Sequence, residues 1–281
     1  MSYADEIFIQ NATDILKNGF QTGEDDVVRP VWEDGLPAHT KKCFGVVNRY
    51  DLRKEFPLMT LRPTAFRSCV NEILWIYQKA SNNIHDLKSH IWDSWADETG
   101  SIGKAYGYQI AQTVEYKEGM MNQMEKVLYD LKHTKYSRRI RTDMYCIKDL
   151  PEMALYPCCH SVDYNVTYEN GEEVLNMVLH QRSNDMLAAN NWNVAQYAAL
   201  LTMVAYAVHM TPGVLMHVIV DQHIYDRHIP IVAELIKRPV YPAPKVLFQP
   251  KSDDFWSFSE DDFTLVDYQT NPQIKNIPIA V

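Results

Sequence analysis

The chain has 281 residues, 46% hydrophobic and 22% charged, with 36 acidic against 27 basic side chains and a formal net charge of -9. These figures suit one sizeable soluble domain, or two small ones, with a substantial core better than a disordered or fibrous chain. Nothing in the balance calls for a nucleic-acid backbone or an anionic membrane as partner, so an anionic ligand has to be gripped locally.

The start, Met1 to Glu6, lacks a basic segment followed by an apolar run, so a cytoplasmic, reducing location is expected. The five cysteines are an odd count without a zinc spacing and are expected to be free thiols. From Tyr3 to Asn18, Ile7, Ile9, Ala12, Ile15 and Leu16 recur near helical spacing, and Gly19 follows as a stop. A polar loop from Glu24 to Ala38 carries an isolated Arg29, and Cys43 to Tyr50 reads as a strand. Thr64 to Ala80 predicts a helix with Phe66, Val70, Ile73, Leu74 and Tyr77 on one stripe and Glu72 at its margin. A further helix is predicted from Glu118 to Lys132. Leu175, Met177 and Leu179 alternate with their neighbours as in a strand, and Val214 to Val220 is a near-continuous apolar run of the same kind. Between them, Trp192 to His209 predicts a central helix capped by Asn190 and Asn191. Its most apolar part, Val194 to Met210, is interrupted by Gln196, Thr202 and His209 and falls short of the roughly 18 to 20 clean residues a membrane span needs. Strands and helices mix without strict alternation, which favours an α+β class. No internal repeat or linker is visible, so residues 1–281 are expected to form a single domain.

Five segments carry residue types that could do chemistry. In Tyr156-Pro157-Cys158-Cys159-His160, a thiol becomes a nucleophile if nearby positive charge lowers its pKa; otherwise it is a small buried hydrophobe. Gln181-Arg182-Ser183-Asn184-Asp185, at the end of a predicted strand, offers a guanidinium fork and a hydroxyl suited to phosphate or carboxylate. Arg138 and Arg139, following Ser137, could hold a dianion or simply face water. His223 and Tyr225, two apart on a strand, would point to one side and could share one sugar hydroxyl. His223 and His228 lack the partner pattern of a metal site, so no metal is expected. Trp92 and Trp95, set among acids in Ile91 to Glu98, could cap a flat aromatic ligand or close the core.

In this order the segments resemble the thymidylate synthase family, the folate-dependent enzymes that methylate deoxyuridine monophosphate. The resemblance runs from Arg29 through Glu72-Ile73-Leu74-Trp75, Ile91 to Trp95, Tyr106-Gly107, Ser137 to Arg139, Met153 to Cys158, Gln181 to Asp185, Trp192-Asn193 and His223 to Tyr225, and ends at Ile279-Ala280-Val281. It implies a bent mixed sheet covered by helices on one face and packed against a second copy on the other. It also implies that Cys158 attacks the uracil ring, that methylenetetrahydrofolate is the cosubstrate, and that no metal takes part. Arg29, Arg182 and Ser183 match the phosphate grip, completed by Arg138 and Arg139 from the other subunit of a homodimer. Asn193 matches the amide that reads the uracil edge, and His223 and Tyr225 match the groups on the deoxyribose hydroxyl. Glu72 and Tyr106 match the residues that organise water and proton transfer. Trp92, Trp95, Leu155, Asp185 and Val281 match the folate-side wall, with the Val281 carboxylate on a closing lid.

Departures from the family pattern fall near the pocket. Cys159 stands where His usually follows the nucleophile, so a one-residue shift would exchange the thiols. Ala188-Ala189-Asn190-Asn191-Trp192 replaces a Leu-Gly-x-Pro-Phe run, and Val220 stands in place of a Gly, its added methyls expected to narrow the pocket. The alternative they leave open is a pyrimidine nucleotide hydroxymethylase, in which water replaces hydride. A catalytically silent nucleotide- or RNA-binding relative is a third reading.

Overall fold

The computed structural model describes residues 1–280; Val281 lies outside them. Helix α1 (Tyr3–Asn18) forms where the periodicity puts it, with Ile7, Phe8, Ala12 and Ile15 buried along one face. Gly19 ends it for lack of space, because a Cβ there would stand 2.5 Å from the Ile15 carbonyl oxygen. The chain then passes through β1 (Phe20–Gln21) into the long strand β2 (Thr40–Asp51).

Helix α2 (Phe66–Tyr77) is shorter than predicted, since Ala65 is not helical and the chain turns at Ala80 with φ 49°. Nearly the whole of it is buried, Glu72 included; that carboxyl lies inside the protein rather than at the margin of a stripe. After α3 (Gly107–Ala111), the helix predicted from Glu118 starts five residues late. Val114–Tyr116 (β3) and Gly119–Met121 (β4) form a hairpin instead, and Gly119 at φ 128° has a backbone no helix interior accommodates. Helix α4 (Gln123–His133) begins at a capping box: the Asn122 side chain accepts the Glu125 N–H, and the Glu125 carboxylate accepts the Asn122 N–H.

The main sheet continues with β5 (Arg141–Asp143), β6 (Cys159–Glu169), β7 (Glu172–Asp185) and β8 (Thr211–Tyr225), in the order β1-β2-β8-β7-β6-β5. Only β7 and β8 run parallel, and such a pair needs a crossover. Helix α5 (Asn190–Ala207) supplies it, apolar all round because both sheet and α2 pack on it. Asn190 and Asn191 do not cap this helix. Its N-cap is Ala189, and the entry turn is held by Asp185 Oδ1, which accepts the Leu187 and Ala188 N–H groups at 2.8 and 3.1 Å. At the other end the helix stops two residues before His209, which turns the chain at φ 57°. Helix α6 (Ile229–Leu235) and the ribbon of β9 (Lys245–Phe248) and β10 (Phe263–Val266) complete the chain.

Met177, Leu179, Leu215 and Ile219 point under α5 and are buried, whereas Val178, Met216, Val218 and Val220 alternate onto the opposite face. Val220 is 49% exposed there, so its methyls do not narrow the pocket as the sequence suggested. The parallel strands end side by side at Asp185 and Tyr225, and β6, antiparallel to β7, begins at the same end. Residues from three strands therefore converge at the carboxyl ends of a parallel pair, a place where open sheets hold ligands.

Candidate active site

Cys158 sits one residue ahead of β6. Its Sγ lies 3.7 Å from Arg182 Nη2, and the same guanidinium nitrogen donates to the Tyr156 carbonyl at 2.8 Å. The Cys158 N–H donates to the Tyr106 hydroxyl at 3.1 Å, and the Arg182 N–H donates to the Cys158 carbonyl at 2.9 Å. Burial pushes the Cys158 thiol above its ordinary pKa, while the Arg182 charge and the Tyr106 hydroxyl pull it down. Cys159, on the next position of the strand, is buried, and burial with the neighbouring Cys158 and Glu72 drives its thiol well above the ordinary value. The two adjacent thiols thus meet different surroundings, and only Cys158 stands beside a cation.

Tyr106 is held at φ 47°, ψ -105°, an uncommon conformation for a residue with a Cβ. Gly107 follows because a Cβ there would meet the Ser81 carbonyl oxygen at 2.0 Å. The Tyr106 ring packs edge-on against Trp92 with centroids 5.1 Å apart, and Trp92 packs against Trp95 at 5.6 Å. Trp92 Nε1 in turn donates to Glu72 Oε1 at 2.6 Å. Glu72 Oε2 accepts from Trp192 Nε1 and, at 2.6 Å, from Gln196 Nε2. Burial pushes the Glu72 carboxyl up to about 7 even though these three donors favour its charged form. A carboxyl in that range suits acid–base work, and Trp92 packs between it and Tyr106.

Asn193, on the first turn of α5, accepts from Gln181 Nε2 at 3.0 Å and donates to Gln196 Oε1 at 3.2 Å. On β8, His223 Nδ1 is 2.8 Å from Asp221 Oδ1, and the His223 and Tyr225 rings meet edge to face at 5.0 Å, on one side of the strand. Burial pushes the Tyr225 phenol up to about 12. Ser183 is half-buried between Arg182 and Asp185, and Leu155 is half-buried against the core. Burial raises the Asp185 carboxyl, but His228, His223 and the Ala188 amide together hold it below the usual carboxylate range. Arg29, Arg138 and Arg139 are exposed and form no ion pair among the described residues. Val281 lies outside the described residues.

Four residues that the sequence did not single out as site residues join this constellation: Gln181, Gln196, His217 and His228. Gln196 left one trace, as a polar break in the most apolar stretch of the chain. Among the described residues no group of three or more His, Cys, Asp or Glu side chains could hold a metal ion.

A thiol beside a guanidinium, with a phenol and a buried carboxyl nearby, is an arrangement suited to nucleophilic cysteine chemistry on an anionic ligand. The sequence model of the family described as thymidylate synthase matches residues 6–281. A thymidylate synthase of Bacillus licheniformis is 36% identical over 274 residues, covering 96% of each chain. One from Streptococcus pneumoniae (strain 70585) is 36% identical over 285 residues, covering 98% of each. Among solved structures, the thermostable thymidylate synthase A from Bacillus subtilis superposes with a TM-score of 0.91 at 33% identity, covering 99% of both chains. The chain belongs to the thymidylate synthase family, and its α+β architecture is that family's fold.

Proposed function

We propose that this enzyme converts dUMP to dTMP, taking both the carbon and the hydride from methylenetetrahydrofolate and releasing dihydrofolate. It is a methyltransferase of its family, and no observation favours the hydroxymethylase alternative. The observation that carries the reading is the Cys158 thiol, 3.7 Å from Arg182 at the carboxyl ends of β7 and β8.

In this reading Cys158 adds to the pyrimidine ring, and Arg182 stabilises the thiolate as it forms. Arg182, Ser183 and Arg29 grip the phosphate; concentrating guanidiniums at one point overcomes the repulsion of a chain of net charge -9. Asn193 reads the uracil edge, and His223 and Tyr225 hold the sugar hydroxyl. Glu72 and Tyr106 manage water and protons, which suits a carboxyl pushed up to about 7. Trp92, Trp95 and Leu155 supply an apolar wall for the folate. Asp185 fits the same ligand, since its charged carboxylate spends Oδ1 on backbone amides and leaves Oδ2 free of described hydrogen bonds.

The whole chain acts as one domain, and two copies pair through the sheet face bearing Val47, Val218 and Val220. What supports this is apolar surface without covering helices, two of those valines being more than 45% exposed. Exposed Arg138 and Arg139 then reach the partner's phosphate site. No described helix is long and apolar enough to cross a membrane. We place the enzyme in the cytoplasm, where five free cysteines stay reduced.

The test is a rise in dihydrofolate absorbance on mixing enzyme, dUMP and methylenetetrahydrofolate. Tetrahydrofolate released without dihydrofolate would overturn the hydride step; no consumption of dUMP would overturn the reading.

A further inference from the structure

His217 lies in the middle of β8, fully buried, opposite Leu179 of β7 and Asn48 of β2. Its Nε2 is 2.7 Å from Gln181 Oε1. Which of the two is the donor follows from the other end of Gln181. There Nε2 donates to the Ser183 backbone carbonyl at 2.8 Å, a group that can only accept, and to Asn193 Oδ1 at 3.0 Å. Gln181 therefore turns its oxygen to His217, and the imidazole has to carry its proton on Nε2. His217 Nδ1 is then a bare lone pair, and it is without a partner among the described residues. Burial drives the imidazole pKa down to about 3, so the ring is neutral at any working pH.

From this donor the hydrogen bonds run one way. His217 donates to Gln181, Gln181 to Asn193, Asn193 to Gln196, and Gln196 to the Glu72 carboxylate. A second branch feeds the same oxygen: Gln222 Nε2 donates to Asn184 Oδ1, and Asn184 Nδ2 donates to Gln181 Oε1, each at 3.2 Å. Reversing the Asn193 amide would set donor against donor at Gln181 and acceptor against acceptor at Gln196. Held in this sense, Asn193 keeps one N–H and one lone pair for a ligand. A ring with a carbonyl beside an N–H is complementary to that pair; a ring with an amine beside a bare nitrogen needs the opposite sense.

We propose that His217 is a positioning residue for pyrimidine choice, fixing through Gln181 the direction in which Asn193 presents its amide, so that dUMP is accepted and dCMP refused. This rests on the reading that Asn193 meets the pyrimidine edge. His217 touches no ligand itself and acts from behind the pocket.

The test compares the wild type with His217→Leu, which removes the donor, and His217→Gln, which returns an amide N–H at similar reach. Because the Asn184 branch survives, His217→Leu is expected to raise the KM for dUMP about tenfold, the effect of one buried hydrogen bond, with kcat changed less than threefold. The preference for binding dUMP over dCMP should fall by a similar factor, and His217→Gln should recover most of both. Equal losses in dUMP and dCMP binding, or a glutamine variant as impaired as the leucine one, would overturn the proposal. Should neither variant fold, ¹⁵N NMR of histidine-labelled wild type still decides: an Nε2–H tautomer for His217 supports it and an Nδ1–H tautomer overturns it. A wild type without dUMP turnover fails the functional reading instead, which separates the two.

Discussion

His228 stands between Asp185 and the end of the chain. Its Nδ1 is 3.7 Å from Asp185 Oδ1, and its Nε2 lies 2.8 Å from the Pro278 carbonyl, to which it donates. Burial lowers the imidazole pKa, but Asp185 and the Pro278 oxygen outweigh it and leave it above the ordinary value. The Nε2–H bond holds the C-terminal segment, while Nδ1 faces the carboxylate proposed to meet folate across 3.7 Å. Trp32 reinforces the tie, packing edge-on against His228 at 5.5 Å and bridging to Ala280. His228→Phe is expected to raise the KM for methylenetetrahydrofolate about tenfold, the effect of losing the buried hydrogen bond to Pro278, with a smaller change in the KM for dUMP. Carboxypeptidase should also remove the last residues faster. Steady-state kinetics with each substrate varied in turn checks the first, and mass spectrometry of the digest checks the second.

The elements that local sequence specifies were legible. Helix α1 follows from side-chain periodicity, the core of α5 from its length and Ala/Leu content, and Gly19 announces a stop through space alone. The hairpin before α4 was missed because Gly119 and the Asn122 cap signal a boundary that the apolar residues on either side run across. Glu72 was misplaced for a different reason. Its partners Trp192 and Gln196 lie 120 and 124 residues further on, so no window along the chain shows that donors await the carboxyl inside the core. His217 reads as part of an apolar strand until Gln181, 36 residues earlier, is seen beside it. Motif order thus picked out several residues that the fold gathers, while the hydrogen bonds that set amide sense and carboxyl pKa exist only in the packed chain.

The two adjacent thiols give a sharp contrast. Cys158→Ala should abolish turnover and covalent capture of a fluorinated dUMP analogue while leaving dUMP binding measurable, because the guanidiniums and Asn193 remain. Cys159 packs in the core, so Cys159→Ala should cost about 1 kcal/mol, a fall of roughly 2 to 4 °C in Tm, and keep covalent capture. Intact-protein mass spectrometry of the trapped complexes reads both. Loss of the adduct in the Cys159 variant alone would show that the roles of the thiols are exchanged.

Shared active sites predict complementation between inactive chains. In the proposed dimer Arg139→Ala weakens the phosphate grip donated to a partner, and Cys158→Ala removes the proposed nucleophile from its own site. A hybrid of the two has one site with an intact thiol and an intact incoming arginine. Mixing and refolding equal amounts should therefore restore about a quarter of wild-type activity, half the dimers being hybrid and each having one competent site of two. Activity no higher than the sum of the parents would count against donation of Arg139 across the interface.

With Glu72 as the proposed proton-transfer group, stability and activity are expected to depend on the same proton. Burial pushes its pKa from the usual 4.5 up to about 7 in the folded protein, against the pull of Trp92, Trp192 and Gln196. Between those values the folded state binds a proton that the unfolded chain has released, so stability falls as pH rises. The contribution is fully present below about 4.5 and is lost as pH passes through about 7, with a total of about 3 kcal/mol. Glu72→Gln carries no proton to lose. The stability of the wild type relative to this variant should therefore decline by about that amount between pH 4.5 and pH 8, which urea denaturation at several pH values measures. In kinetics the wild type should show an ionisation near pH 7 in kcat/KM for dUMP. Glu72→Gln should lack that bend and lose about 10² to 10⁴ in kcat, the usual effect of removing a positioned acid–base group. A variant whose pH profile keeps the bend would assign the ionisation to another group and take Glu72 out of the proton-transfer role.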